Sequence, residues 1–464
     1  MSDRETLDSI SESLYLQYFC GLPSFQTERP FDPSFFVDIR KRLGESEFDA
    51  FNSLVIAHAD KMLSKSKTGK NKSDSGTDND DHNPNPNTPA KNKGTLKVDA
   101  TVADQQITFP TDLKILATAR QETERLVDVL YAQIKLKAEA EAKKKAESTK
   151  PKLKPKPRTY RREARQEYLK IVKLKRKSKN SIRKAIGKQL RYIKRNVATI
   201  ERLLDLFKEE RFPLKHRDLR QYWIIQTVYD QQKIMFDDAR KRSVPHRIVS
   251  IWQPHVRPIV RGKEKARVEF GAKINVSEYD GWSRIDRLNW EAYNEGGDLK
   301  QQIENYKKQR GYYPATVLAD QLYTTRENRK FMKELGIHSP CKALGRPSKE
   351  PETPYQRRKI KKERGQRNSV EGKFGQAKNG YGLNEIRARR KDTSESWIGA
   401  IFFIMNLITL MKKAEKLFLC PLLWVIAGLK AHIRSIQHTH ELFETKINMT
   451  LPFRPAKNQK LAIC

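Results

Sequence analysis

Apolar residues recur at helical spacing over the first half of the chain and turn strand-like from His246 onward. In "FDPSFFVDIRKRLG", Phe36, Ile39 and Leu43 fall on one face, which predicts a helix with Asp32 as N-cap, Pro33 at its first position and Gly44 as its stop. Its other face carries Arg40, Lys41 and Arg42, a pattern that suits a solvated face as well as a phosphate-contacting one. Residues 1–68 read as helical. A long helical region opens at "ILATARQETERLVDVLYAQIKLKAEAEAKKKAE" and breaks at "KPKLKPKPR". It resumes in two stripes: Ile193, Val197, Ile200, Leu204 and Phe207, then Ile225, Val228, Tyr229, Gln232 and Phe236. Two amphipathic helices joined at "RFPLKHR" predict an antiparallel hairpin.

After His246, "RPIVRGK", "VEFGAKINVSEYDG" and "WSRIDRLNW" carry the β-branched and aromatic residues of strands, with a turn at Asp280-Gly281. "DLKQQIENYKKQRGYYP" predicts a helix closed by Gly311, "ATVLAD" a short buried strand, "TTRENRKFMKELG" a helix and "IHSPCKA" a final strand. With "TLKVDATVAD" as an earlier strand, the order describes an α/β layer interrupted by a helical insertion. The expected organisation is 1–68 helical, 69–94 linker, 95–118 with 245–413 the α/β domain, 119–244 the insertion and 414–464 a tail. Residues 69–94, "GKNKSDSGTDNDDHNPNPNTPAKNKG", hold almost nothing apolar, so a flexible linker is expected and His82 needs no role.

Charge sharpens this picture. Lys and Arg number 93 against 56 acids, a formal charge of +37, which points to an acidic partner and to nucleic acid first. Between Pro151 and Ile200 alone there are 19 Lys/Arg and 2 Glu, a density that repels itself without counter-ions and suits a nucleic-acid track including Arg191, Lys194 and Arg195. The runs Trp397–Met411 and Leu417–Leu429 fall short of the ~18 clean apolar residues of a membrane span, so both are expected as buried helices, with no membrane partner. The four cysteines form no C-x-x-C pair and the polar start shows no signal peptide; both fit a reducing cytoplasm. "HTH" at His438–His440 has no partner motif.

Two predicted strands end in aspartate, "KVD" at Asp99 and "LAD" at Asp320. A strand-end Asp suits a cap, an ion pair or a metal ligand, and strand ends in α/β sheets face the ligand crevice. In "RNSVEGKFGQAKNGYG", Arg367, Asn368, Glu371 and Lys378 share one helix face, with Phe374 and Gly375 letting that helix approach the sheet. Three carboxylates brought together raise one another's pKa, a repulsion that divalent cations relieve. A pair of Mg²⁺ ions suits in-line phosphodiester chemistry.

These segments resemble the DDE transposases of bacterial insertion sequences, in particular the insertion-sequence-five group. The resemblance runs from "YLQYFCGLPSFQTERPFDPSFFVDIRKRLG" to "FFIMNLITLMKKA". "VDATVADQQITFPTDLK" matches the segment of the first aspartate, "GYYPATVLADQLYTTRENRKF" that of the second and "RNSVEGKFGQAKNGYGL" that of the glutamate. The family's helix signature is Tyr, two residues, Arg, three residues, Glu, six residues, Lys; Arg367, Glu371 and Lys378 match it, and Arg364 stands at the Tyr position.

The resemblance implies a ribonuclease-H-like catalytic core and cut-and-paste DNA transposition. It implies that Asp99, Asp320 and Glu371 are the catalytic residues and hold two Mg²⁺ ions, with Mn²⁺ as a substitute. An activated water would nick the element's end, and the freed 3′-OH would attack target DNA. Arg367 and Lys378 would contact the phosphate backbone, and Asn368 would tie the helix to the metal-side strand. The partners implied are the terminal inverted repeats, target DNA and a second copy of the chain, in the nucleoid-associated cytoplasm. The family's helical front end is longer than the part that begins at Met1, so weakened recognition of the repeats is an expectation. Two other readings stay open: a DNA-binding remnant without cleavage, and a structure-selective nuclease of the same fold.

Overall fold

The computed structural model describes residues 2–68, 92–144, 154–207, 212–238, 240–241, 243–260, 268–340 and 353–415. The linker at 69–91, the apolar run Leu417–Leu429, His438–His440 and the tail beyond 415 lie outside the described residues. By contacts the chain divides into two units, Met1–Asn52 with His82–Met405, and Ser53–Asp81 with Asn406–Cys464. In the second unit, 53–68 and 406–415 are helical.

Four helices open the chain: α1 (Asp3–Glu12), α2 (Leu14–Phe19), α3 (Phe35–Arg42) and α4 (Glu45–Thr68). Ser2 and Glu5 form a reciprocal capping box that fixes the start of α1. The helix expected from Pro33 starts two residues later. Asp32 uses its carboxylate on the Ser34 N–H at 2.8 Å, and its carbonyl accepts from Phe35 N–H; this is a turn that precedes α3 rather than its cap.

Five strands form one mixed sheet: β1 (Thr95–Asp104), β2 (Arg257–Val260), β3 (Val268–Tyr279), β4 (Trp282–Asn289) and β5 (Thr316–Leu318). β1 pairs antiparallel with β3 and parallel with β5, so it lies between them. β2 and β4 both pair with the other edge of β3, one after the other along its length. The β3–β4 hairpin turns at Asp280 and Gly281, both at positive φ, the conformation a tight two-residue hairpin requires. Gly271 meets Asp104 in register; a Cβ there would stand 1.9 Å from the Ala103 carbonyl oxygen, so only glycine fits.

Between β1 and β2 runs a helical insertion, α5 (Asp112–Lys144), α6 (Arg161–Val172), α7 (Lys179–Leu204) and α8 (His216–Asp237). Leu126 and Leu130 of α5, Ile193 and Ile200 of α7, and Ile225 and Val228 of α8 share one buried cluster. Each such side chain contributes roughly 1.5–3 kcal/mol on burial. The two predicted stripes are therefore real, but they close on α5, which makes a multi-helix bundle in place of a hairpin. The pattern of α5 alone cannot show this, because α5 runs unbroken from the sheet into the insertion. Inside the bundle Arg120, 1% exposed, is held by Glu124 and Gln189.

After the hairpin come α9 (Leu299–Arg310), stopped by Gly311 at φ +79°, then β5, α10 (Arg326–Glu334), α11 (Pro354–Gly380) and α12 (Lys391–Glu415). The expected last strand at "IHSPCKA" is absent among the described residues. His338 makes one bridge to Thr316, and Pro340, which has no N–H to donate, follows two residues on. α12 is long and apolar enough to cross a membrane by length and composition alone. Its Ile398, Ile401, Phe402 and Met405 belong to the buried cluster on the sheet, as a core helix requires. A mixed sheet flanked by helices is consistent with a DDE or ribonuclease-H-like fold over this part of the chain.

Candidate active site

The strand pattern of β1 sets the site. Leu96, Val98, Ala100 and Val102 are buried on one face. Alternation puts Lys97, Asp99, Thr101 and Ala103 on the other. Ala103 shares a buried cluster with Val370, Phe374 and Ala377 of α11, so Asp99 lies on the face that α11 covers. Gly375 does not create this approach: a Cβ on it would meet nothing within 4 Å, and Val370 and Ala377 supply the small contact surface.

Asp99 is not at a strand end. β1 continues for five residues to Asp104, in unbroken antiparallel register with β3 down to Gly271. The small residues after Asp99 allow this: Ala100, Thr101, Val102 and Ala103 are all buried, sealed on both faces. The carboxylate accepts from the Ala100 N–H at 2.8 Å and from Arg367 Nη1 at 3.3 Å.

Asp320 stands two residues past the last residue of β5. It caps the turn Gln321–Tyr323, accepting from the Gln321 N–H at 2.7 Å. That turn is anchored from below. Tyr323 is fully buried, and its O–H donates to Asn275 Oδ1 at 2.7 Å, on the strand next to β1. Burial, with the charges of Glu295 and Asp99 behind it, pushes the Tyr323 phenol far above its ordinary range, so it stays a donor. Asn328 donates to the carbonyls of Tyr323 and Gly296, both at 2.7 Å.

On α11, Arg367 Nη2 donates to Glu371 Oε1 at 2.9 Å, one helical turn apart. One guanidinium therefore holds Asp99 and Glu371 together. Above it, Lys97 reaches Glu278 at 2.9 Å and Ser369 at 2.8 Å, and Ser369 also donates to Glu278. Lys97 and Glu278 are in register on β1 and β3. This pair, 17% and 4% exposed, clamps α11 to the sheet beside the site. Breaking such a buried pair costs roughly 3–5 kcal/mol. Lys378, at the far end of α11, lies between Asp104 at 3.3 Å and Glu269 at 3.5 Å.

Asp320, Arg364, Arg367 and Asn368 line one open cleft of about 280 Å³. Arg364, at the position of the family's Tyr, donates to the Pro340 carbonyl at 3.3 Å. The other proposed DNA contacts lie elsewhere. Arg40 is paired with Asp3 and stacked 4.8 Å over Trp397, Lys41 pairs with Asp38, and Arg42 is exposed. Arg191 and Lys194 are exposed on α7, while Arg195 lies 4.3 Å over the Tyr160 ring.

Three carboxylates are the right donors for a hard divalent cation. As placed, they do not form a ligand set: among the described residues no group of three or more His, Cys, Asp or Glu could hold a metal ion. Asp99 and Glu371 face Arg367, and Asp320 faces its own turn. The clamp Lys97–Glu278–Ser369 and the Tyr323–Asn275 anchor are parts of this site that sequence reasoning missed. Their only signal was position: Tyr323 follows Asp320 by three residues, and Ser369 sits between Asn368 and Glu371.

No curated protein and no solved structure matches the chain. Residues 317–408 match the family model described as Transposase DDE domain. That stretch carries the last two residues of β5, Asp320, α10, the whole of α11 and most of α12, while Asp99 lies before it. Over this part of its length, the chain holds a DDE transposase domain.

Proposed function

We propose that the chain is a transposase that cleaves the ends of an insertion sequence and joins the freed 3′-OH to target DNA. The observation that carries this reading is the meeting of Asp99, Arg367 and Glu371 at the level where β5 delivers Asp320. The three acids are the proposed catalytic residues and would hold two Mg²⁺ ions, with Mn²⁺ as a substitute, once Arg367 has let go of Asp99 and Glu371. Bound there, the metal would supply Lewis-acid polarisation of the phosphodiester and a more acidic attacking water.

The chain's own residues prepare that state. A DNA phosphate entering the cleft beside Asp320 offers Arg367 a bidentate partner, and a guanidinium that turns to it releases Asp99 and Glu371. Asn368 and Arg364 border the same cleft and would position the strand. Lys378, and the cations of α3 and α7 at Arg40, Lys41, Arg42, Arg191, Lys194 and Arg195, are proposed as further contacts to double-stranded DNA. Arg40 can serve only by leaving Asp3. Two element ends must be held for strand transfer, which supports a homodimer; the nucleoid-associated cytoplasm is its proposed location.

One observation favours a second reading, DNA binding without cleavage: the acids as placed are engaged by Arg367 and do not form a metal cluster. The test is incubation of the chain with Mg²⁺, labelled element ends and a target plasmid. Nicking followed by joined products supports the transposase, nicking without joining supports a nuclease, and binding without either product supports the second reading.

A further inference from the structure

Beyond β1 the chain passes Gln106 to Pro110 before entering α5, and there it borders a cleft of about 400 Å³. Its other walls are Lys114 of α5, Arg217 of α8, the segment Val249–Gln253 and Arg389. The volume lies in the range of small-ligand sites, roughly 300–1,000 Å³.

Three features set this cleft apart. Lys114, Arg217 and Arg389 line it together, and among the described residues no Asp or Glu does. Among the described residues the charged ends of these three make no ion pair, unlike Arg367, Lys378 and Arg40, each committed to a carboxylate. Trp252 lies on the same wall with 49% of its surface exposed, a large ring left uncovered next to the cations. Beside it Gln253, 5% exposed, keeps its Oε1 without a hydrogen-bond partner. Uncompensated cations attract an anion, an exposed indole offers a stacking face, and an unmet buried acceptor calls for a donor.

We propose that this cleft binds a nucleotide, its base stacked on Trp252 and its phosphate held by Lys114, Arg217 and Arg389. An inorganic anion would use the cations and leave the ring idle; a base joined to a phosphate uses both. The nucleotide has two possible sources, a free mononucleotide or an unpaired position within a DNA strand. The second source rests on the DNA-transposing reading above; the first stands without it.

The test isolates the emission of Trp252 as the difference between the full chain and its Trp252→Phe variant, which keeps a stacking ring. The titrants are dAMP, inorganic phosphate, a fully paired duplex and the same duplex with one unpaired nucleotide. The expected result is saturable quenching of that emission by dAMP, or by the unpaired duplex at about fivefold lower concentration than the paired one. Arg217→Ala and Lys114→Ala should each raise the half-saturation concentration about fivefold, with circular dichroism unchanged. Quenching by dAMP assigns a free nucleotide; quenching by the unpaired duplex alone assigns a strand. If neither quenches, or if phosphate displaces dAMP at equal concentration, the proposal is overturned. Paired-duplex binding without any Trp252 signal would overturn this cleft's role and leave the DNA reading intact. Absence of all duplex binding, with dAMP quenching kept, would do the reverse.

Discussion

Asp99 and Asp320 each lie two residues beyond the last register pair of the parallel strands β1 and β5, Lys97 with Leu318. Neighbouring strands are ~4.8 Å apart, so this register delivers two carboxylates to one level of the sheet. Arg367 then ties the first of them to Glu371 on α11. Two strands and one helix therefore carry the four side chains of the candidate site.

Arg367 should act as a competitor for cations in the absence of DNA. Its replacement by Gln removes the guanidinium that Asp99 and Glu371 share. Mn²⁺ affinity of the free chain, read by electron paramagnetic resonance, should rise about tenfold in Arg367→Gln. The same variant should lose DNA cleavage, because the proposed reading has this arginine take the DNA phosphate. An unchanged or weaker Mn²⁺ affinity would show that Arg367 does not occupy the metal's place.

Tyr323 should matter to the Asp320 turn through its hydroxyl. Tyr323→Phe removes the donor to Asn275 while Gln302 continues to donate to the same oxygen at 3.2 Å. Stability should fall by about 1 kcal/mol, measured by urea unfolding. The divalent-ion concentration needed for cleavage should rise, since the turn that carries Asp320 loses its anchor. A stability loss with an unchanged metal requirement would reduce Tyr323 to a core residue.

Much of this architecture is legible in the residue pattern. The β3–β4 hairpin follows from alternating apolar residues around Asp280-Gly281, and α9 from its stripe and the Gly311 stop. The position of Asp99 was not legible in the same way. "KVDA" looks like a strand end because a carboxylate and small residues follow the apolar run. What carries β1 on to Asp104 is pairing with β3, whose Gly271 stands 167 positions away in the register pair Asp104–Gly271. Arg40 and Lys378 look like free cations for the same reason: Asp3, Asp104 and Glu269 reach them only through the fold. Charge is visible in a sequence, but its partners are not.

The pH dependence of stability should carry the signature of Asp286. Burial pushes its carboxyl up to about 6 from 3.8, against the pull of Gln302, Ser277, Arg284 and Asn305. Between those values the folded chain binds more protons than the unfolded one, so this group's contribution falls as pH rises from about 4 to about 6. His255 works the other way. Burial first, then Arg257, Lys391 and Arg220, lower it to about 4, so its contribution improves as pH rises toward its ordinary value. The two slopes oppose each other in the wild type. Asp286→Asn should therefore gain stability relative to wild type as pH rises through that window, measured by urea unfolding at a series of pH values. Parallel profiles would contradict the shift.

Exposed cations on α7 should report on DNA directly. Arg191 and Lys194 can be changed without disturbing packing, whereas Arg195 also stacks on Tyr160 and Tyr192. Replacing Arg191 and Lys194 by Gln should lower the slope of log affinity against log salt by about 2 on duplex DNA. An unchanged slope would return this face to a solvated surface.

Cleavage by Asp320→Asn, set beside the unaltered chain, tests the central claim most directly. The substrate is end-labelled DNA from the flanks of the gene, with Mg²⁺ present, and binding is measured on the same DNA. The account predicts nicking by the unaltered chain, and in Asp320→Asn binding within about twofold and nicking at about one hundredth or less. Nicking by Asp320→Asn at the unaltered rate, or binding by the unaltered chain with no nick at all, would contradict it.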